Sequence, residues 1–167
     1  QKYLKYGKNG VDIFALSKFK QINNNFFVFS IGELERMFGG VHLEYLRRFK
    51  HNAFAVGFEI SHVKQRSFDG SLFNYKRYRT TTGHLNIHAF EPNTKLDLKL
   101  SAGKYLARDK GYTLDISRYF DNGLTMGAFF TITDVSADSF GEGSFDKGVY
   151  IALPLSLISN STNKGYF

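Results

Sequence analysis

Five aliphatic residues, Val149, Ile151, Leu153, Leu155 and Leu157, stand at every second position of the run 149–157, with Tyr150, Ala152, Pro154 and Ser156 between them. A period of two puts alternate side chains on opposite faces of a strand, whereas a helix would scatter them around its axis. One face of this strand therefore meets something apolar, and the other something narrower or wetter. The stretch that feeds it, Phe140-Gly141-Glu142-Gly143-Ser144-Phe145-Asp146-Lys147-Gly148, is a polar loop punctuated by glycine.

The same alternation recurs along the chain. It is imperfect over Val11 to Lys20, where Ile13, Phe14, Leu16 and Phe19 are apolar, and stronger over Asn25 to Leu34, where Phe27, Phe29 and Ile31 alternate with Phe26, Val28 and Ser30. Gly39-Gly40 then permits a turn. Val41, Leu43 and Tyr45 alternate with His42, Glu44 and Leu46 as far as a basic turn from Arg47 to Asn52. Phe54, Val56, Phe58 and Ile60 oppose Ala53, Ala55, Gly57, Glu59 and Ser61, and a polar loop is expected from Arg66 to Arg79. Beyond it Leu85, Ile87 and Ala89 oppose His84, Asn86 and His88, and a tight turn is expected at Glu91-Pro92-Asn93-Thr94. Leu96, Leu98 and Leu100 oppose Lys95, Asp97, Lys99 and Ser101, a face charged enough to require water. Tyr112, Leu114 and Ile116 oppose Thr113, Asp115 and Ser117, and the hairpin signal Asn122-Gly123 leads to a run from Leu124 to Thr133.

About nine strands, joined by short turns on one side and longer loops on the other, predict an all-β chain. The expected architecture is an antiparallel up-and-down transmembrane β-barrel or part of one, forming a single segment over residues 1–167. The better runs hold about 9 to 11 residues, the length that crosses a bilayer when tilted. Bacterial barrels close with an even number of strands, so the segment is expected to be completed by further sequence or by another chain. Tyr45, Tyr105, Tyr112, Tyr119 and Phe120, near the strand ends, could form interfacial girdles, with ordinary packing the favoured alternative for each taken singly.

Composition narrows the functional classes. The chain has no cysteine, which removes disulfide scaffolds, thiolate zinc sites and cysteine nucleophiles. A net charge of +7 and a pI near 9.5 invite a nucleic-acid reading. Lysine and arginine are nevertheless spread over the whole length, clustering only at Arg47-Arg48-Phe49-Lys50 and Lys76-Arg77-Tyr78-Arg79. Both clusters are expected in turns or loops, no nucleic-acid motif adjoins them, and no nucleic-acid partner is expected.

Catalytic and metal sites are not expected either, and no cofactor is implied. His84 and His88 stand four residues apart on one strand, about 13 Å, too far to share a metal. Ser101, His84 and Asp97 could be written as a triad, but no nucleophile elbow accompanies them. The candidate residues instead form a polar wall of Glu59, His84, Asn86, His88, Asp97, Lys99 and Asp115, with Phe129 among them. Mixed hydrogen-bonding groups beside an aromatic ring suit a sugar chain, whose hydroxyls need partners and whose ring faces stack. They could equally satisfy one another and plug the interior. In the glycine-rich loop, Phe140, Glu142, Phe145, Asp146 and Lys147 are candidates for a gate folded onto the mouth, with anchoring of both phenylalanines at a membrane interface as the alternative.

Several stretches together carry a resemblance. Gly32-Glu33-Leu34-Glu35-Arg36-Met37-Phe38-Gly39-Gly40, Thr82-Gly83-His84, Gly103-Lys104-Tyr105-Leu106-Ala107-Arg108-Asp109, Ser117-Arg118-Tyr119-Phe120-Asp121-Asn122-Gly123 and the loop 140–148 resemble, in order and spacing, the carboxyl-terminal half of the YjbH family. The resemblance covers residues 30–157, and residues 1–24 match poorly. It implies an outer-membrane lipoprotein with β-barrel domains, linked to exopolysaccharide and capsule production in Gram-negative bacteria. The implied partners are outer-membrane lipid, lipopolysaccharide and polysaccharide, together with the chain or subunits that complete the barrel. Two other readings stand beside this non-enzymatic one: a soluble lipocalin-like barrel with Phe54, Val56, Phe58 and Ile60 inside an apolar cavity, and a structural barrel that seats partner proteins.

Overall fold

A computed structural model describes residues 10–49, 53–69, 71–135 and 145–154. These form nine strands: β1 (Phe14–Ile22), β2 (Asn25–Glu33), β3 (Phe38–Phe49), β4 (Phe54–Arg66), β5 (Tyr75–Glu91), β6 (Leu96–Lys104), β7 (Lys110–Tyr119), β8 (Thr125–Thr133) and β9 (Asp146–Ala152). Each strand pairs antiparallel with the next in a single meander from β1 to β9. β1 and β9 do not pair with each other. The expected barrel is therefore an open sheet, with the outer edges of its first and last strands unfilled by any described strand.

Register divides the side chains into two faces. Phe27↔Tyr45, Phe29↔Leu43 and Ile31↔Val41 lie opposite one another across β2 and β3, and Leu43↔Ile60, Tyr45↔Phe58 and Arg47↔Val56 carry the same face to β4. Val56↔Ile87, Phe58↔Leu85, Ala89↔Leu98, Leu98↔Ile116, Ile116↔Ala128 and Ala128↔Val149 extend it to the last strand. This face is apolar and open. Leu85 is 67% exposed, Ile151 63% and Val149 87%.

The other face is polar and more enclosed. Among the described residues only Phe38, Ala55 and Val63 are buried hydrophobics, whereas Ser30, Thr80, Thr82, Asn86, Ser101 and Ser117 are buried polar ones. A soluble globular domain shows the reverse. The polar face is also the concave one: a cleft of about 500 Å³ is lined jointly by Ala15 and Ser17 of β1 and by Tyr105 and Leu106 beyond β6. Strands lie about 4.8 Å apart, so residues five strands away from each other line one cleft only if the sheet curls around it.

The two ends differ. Connections 23–24, 50–53, 92–95 and 120–124 join the strands at one end and are all short, whereas the opposite end has 34–37 and 105–109, also short, and the longer 67–74 and 134–145. At the short-turn end arginines lie over aromatic rings, Arg48 over Phe26 at 4.6 Å, Arg47 over Phe49 at 5.0 Å and Arg118 over Phe120 at 5.1 Å. At the loop end β4 and β5 run past the apolar belt, and the expected loop over 66–79 shrinks accordingly: Arg66 closes β4, and Tyr75 to Arg79 open β5. Both basic clusters thus lie largely on strands rather than in loops. On β5 the outward residues Arg77 and Arg79 are basic instead of apolar, so hydropathy gives no strand signal there.

Candidate functional site

The concave face is built rung by rung from the antiparallel register. Glu44↔Glu59 and Glu59↔His84 make one rung, Gly57↔Asn86, Asn86↔Ser101 and Ser101↔Thr113 the next, and His88↔Lys99, Lys99↔Asp115 and Asp115↔Phe129 a third. Phe90↔Asp97 and Asp97↔Ser117 continue it. The structure thus brings Glu59, His84, Asn86, His88, Asp97, Lys99, Asp115 and Phe129 onto one surface, because all of them share strand parity.

Local geometry couples these groups in part. His84 Nδ1 lies 2.9 Å from Glu59 Oε1, and His88 Nδ1 lies 3.9 Å from Asp97 Oδ2. His42 Nδ1 is 2.9 Å from Ser61 Oγ. A relay of hydroxyls runs from Tyr105 to Thr113 and on to Thr131, each step 2.7 Å. The Tyr150 hydroxyl donates to Asp115 Oδ1 at 3.0 Å. Among the described residues His84 Nε2 and Asn86 Oδ1 find no hydrogen-bond partner, so the wall keeps capacity for a ligand or water.

Two rings lie flat against this wall. A Cβ on Gly127 would stand 2.4 Å from Tyr150 Cζ, and one on Gly148 would stand 2.7 Å from Phe129 Cε1. The glycines leave room for the rings to lie over the backbone, which gives the polar face two aromatic platforms. Period two alone could have assigned Tyr150 here, since it shares a side with Ala152, and the same parity reasoning assigns His42 and Glu44. Tyr105 takes the packing alternative. It is no girdle residue, because its ring meets His84 edge-on at 4.6 Å inside the curl. Tyr119 likewise turns to the concave side, against Phe90 at 6.3 Å, whereas Tyr112 is exposed on the convex side.

The triad drawn on paper does not assemble. His84 is committed to Glu59, Asp97 lies nearest His88, and no hydrogen bond among the described residues joins Ser101 to either. Among the described residues no three His, Asp or Glu side chains converge as metal ligands would. The face offers hydrogen bonds and stacking, which are the means of binding a hydrated polyol chain.

Of the proposed gate, Phe140 and Glu142 lie outside the described residues. Phe145 is 48% exposed and stands edge-on to Phe130 at 6.2 Å, away from Glu59, Asp97 and Asp115. Lys147 covers its ring at 4.7 Å, and Lys147 and Asp146 belong to β9. Phe145 and Asp146 nonetheless border a second cleft, of about 940 Å³, shared with Phe38, Tyr78, Tyr105 and Asp109 at the loop end.

A pair that sequence reasoning missed anchors this end. Glu33 and Arg66 are fully buried, with Arg66 Nε 3.1 Å from Glu33 Oε2, close enough for an ion pair but too poorly aligned for a hydrogen bond. The Arg66 guanidinium also donates to the carbonyls of Val11, Asp12 and Glu35 at 2.8 to 3.0 Å, and Glu33 Oε1 accepts from the Phe73 N–H at 2.7 Å. One residue pair thereby fastens the segment before β1, the 34–37 turn and the 67–74 loop.

The YjbH family model, described as exopolysaccharide biosynthesis protein YbjH, matches residues 1–166. The chain belongs to the YjbH family. The match reaches well beyond residues 30–157 and takes in the first 24 residues as well. The "Uncharacterized lipoprotein YjbH" of Escherichia coli (strain K12) is 40% identical over 152 residues, which is 87% of this chain and 22% of that protein. The chain thus spans about a fifth of its relative's length. No solved structure matches.

Proposed function

We propose that this chain is a wall segment of a non-enzymatic outer-membrane β-barrel that serves the secretion or assembly of an exopolysaccharide. Its convex belt faces lipid, and its concave polar face lines a hydrated passage. One observation carries the reading: large aliphatic and aromatic side chains are exposed across the convex face of all nine strands, while the buried residues are mostly polar. Water would penalise such a belt at about 25 cal/mol per Å² of apolar surface, and a bilayer removes that penalty. The strand lengths agree. Nine residues rise about 30 Å, and a tilt of about 40° reduces this to roughly the 25 Å of an outer-membrane apolar band. One end has short connections throughout and the other includes the longer 67–74 and 134–145, which fits the periplasmic and extracellular sides respectively. The E. coli relative's name, lipoprotein, supports a place in the cell envelope, and the family description supports the polysaccharide process. Strands from the remainder of a longer polypeptide complete the barrel.

The soluble lipocalin-like alternative needs Phe54, Val56, Phe58 and Ile60 in a cavity, and all four are exposed on the convex face. Paired substitutions on β6 test the membrane reading. Leu98→Arg places a charge on the lipid side at a cost of about 2 to 4 kcal/mol near the midplane and should abolish heat-modifiable protein in the outer-membrane fraction. Asp97→Asn, on the passage side, should leave that fraction unchanged. Equal assembly of both variants contradicts the proposal.

A further inference from the structure

We propose that the loop end of the convex face binds the phosphorylated headgroup of a membrane lipid whose acyl chains lie on the apolar belt. The inference rests on the membrane reading above. The belt ends on β4 and β5 at Ile60↔Gly83, and the next outward rungs are His62↔Thr81 and Lys64↔Arg79. On the neighbouring strands the outward alternation ends at Lys104↔Lys110. Two pairs of like charges thus stand directly opposite one another on antiparallel strands, an arrangement that is unfavourable unless something else neutralises it. Arg77, outward on β5, adds a fifth cation.

No acid of the chain fills that role among the described residues. None of Lys64, Arg77, Arg79, Lys104 and Lys110 takes part in an ion pair there. The Asp134 carboxylate accepts from the backbone N–H of Lys110, and Asp69 accepts from the backbone N–H of Ser71, so both are engaged in turn geometry. Of the remaining described acids at this end, Glu33 is buried with Arg66, Asp12 pairs with Arg36, and Glu35, Asp109 and Asp146 border the clefts lined by the concave face. The cations stand on the same face as the belt and directly above it, Arg79 lying four residues beyond Gly83, about 13 Å along the strand. That stacking matches an amphiphile, with hydrocarbon below and phosphate above. Arginine forks and lysine ammonium groups both suit phosphate oxygens. The short-turn end lacks this pattern, because its arginines Arg47, Arg48 and Arg118 lie over aromatic rings.

The test uses the full-length protein carrying this chain, placed in phosphatidylcholine nanodiscs with or without a small fraction of diphosphorylated lipid A. Native mass spectrometry counts the lipid A retained. Lys64→Gln with Arg79→Gln and Lys104→Gln should lower retention at least tenfold, and Arg47→Gln with Arg118→Gln at the other end should leave it unchanged. Millimolar inorganic phosphate or a soluble uronic-acid polymer should displace none of it. Equal retention by the triple variant and the parent protein overturns the headgroup site, and so does displacement by either competitor, which would mark a free-anion or polysaccharide site. Protein that fails to enter the discs at all overturns the membrane reading itself, a result distinct from entry without headgroup selectivity.

Discussion

Residues that decide the behaviour of this wall fall into those that alternation reveals and those it hides. Asp97 and Leu98 are adjacent in sequence and opposite in surroundings, which the period of two foretells. Glu33 and Arg66 are hidden, since each ends a strand and nothing in the spacing between them signals contact. Once paired, they become the most enclosed charges at the loop end, so removing one partner strands the other. Arg66→Met should cost about 3 to 5 kcal/mol, whereas replacing both with apolar residues of similar volume should cost much less. Urea unfolding of the reconstituted variants measures this, and equal losses in single and double variants would show that the pair is not coupled. Gly32 is a second constrained position: its φ is +136°, and a Cβ there would meet the Phe14 carbonyl oxygen at 2.3 Å. Gly32→Ala should therefore loosen the pairing of β1 with β2, read as faster amide exchange at Ile31 and Glu33.

At the scale of the strands and turns, the order of nine strands was legible because apolar residues mark one face of nearly every one. Legibility failed where the outward face stops being apolar, as at Lys64, Arg77 and Arg79, and where aromatic rings fold inward, as Tyr105 does. Turns were legible from their chemistry. In the turn after β5 the Glu91 carboxylate accepts from the Thr94 backbone N–H at 2.7 Å, and this bond holds its pKa below the ordinary value. Across the same end Asp121 is held low by its hydrogen bond to Lys95. A depressed carboxylate contributes stability that is present above its unfolded pKa and is lost as pH falls through the folded one. Protection of the Thr94 amide should accordingly persist at neutral pH and fade only below the usual carboxylate range. Glu91→Gln should remove that pH dependence, and an unchanged profile in the variant would contradict the assignment.

For the whole molecule, the reversed distribution of polarity decides more than any one site. The aliphatic rows were visible in sequence, but whether they faced a core or a lipid was not, because alternation is symmetrical between the two. Curvature breaks the symmetry by wrapping the sheet around its polar side. If that side binds a polysaccharide, Phe129→Ala together with Tyr150→Ala should lower exopolysaccharide output several-fold while the protein still reaches the membrane. The faces can be tested directly because the chain has no cysteine of its own. Single cysteines at 98 and 97, each carrying an environment-sensitive fluorophore in the reconstituted protein, would report their surroundings through quenchers held in the bilayer or dissolved in water. The account predicts that the probe at 98 is quenched by acyl-chain nitroxides and the probe at 97 by aqueous iodide. The opposite assignment, or equal iodide quenching at both sites, would contradict it.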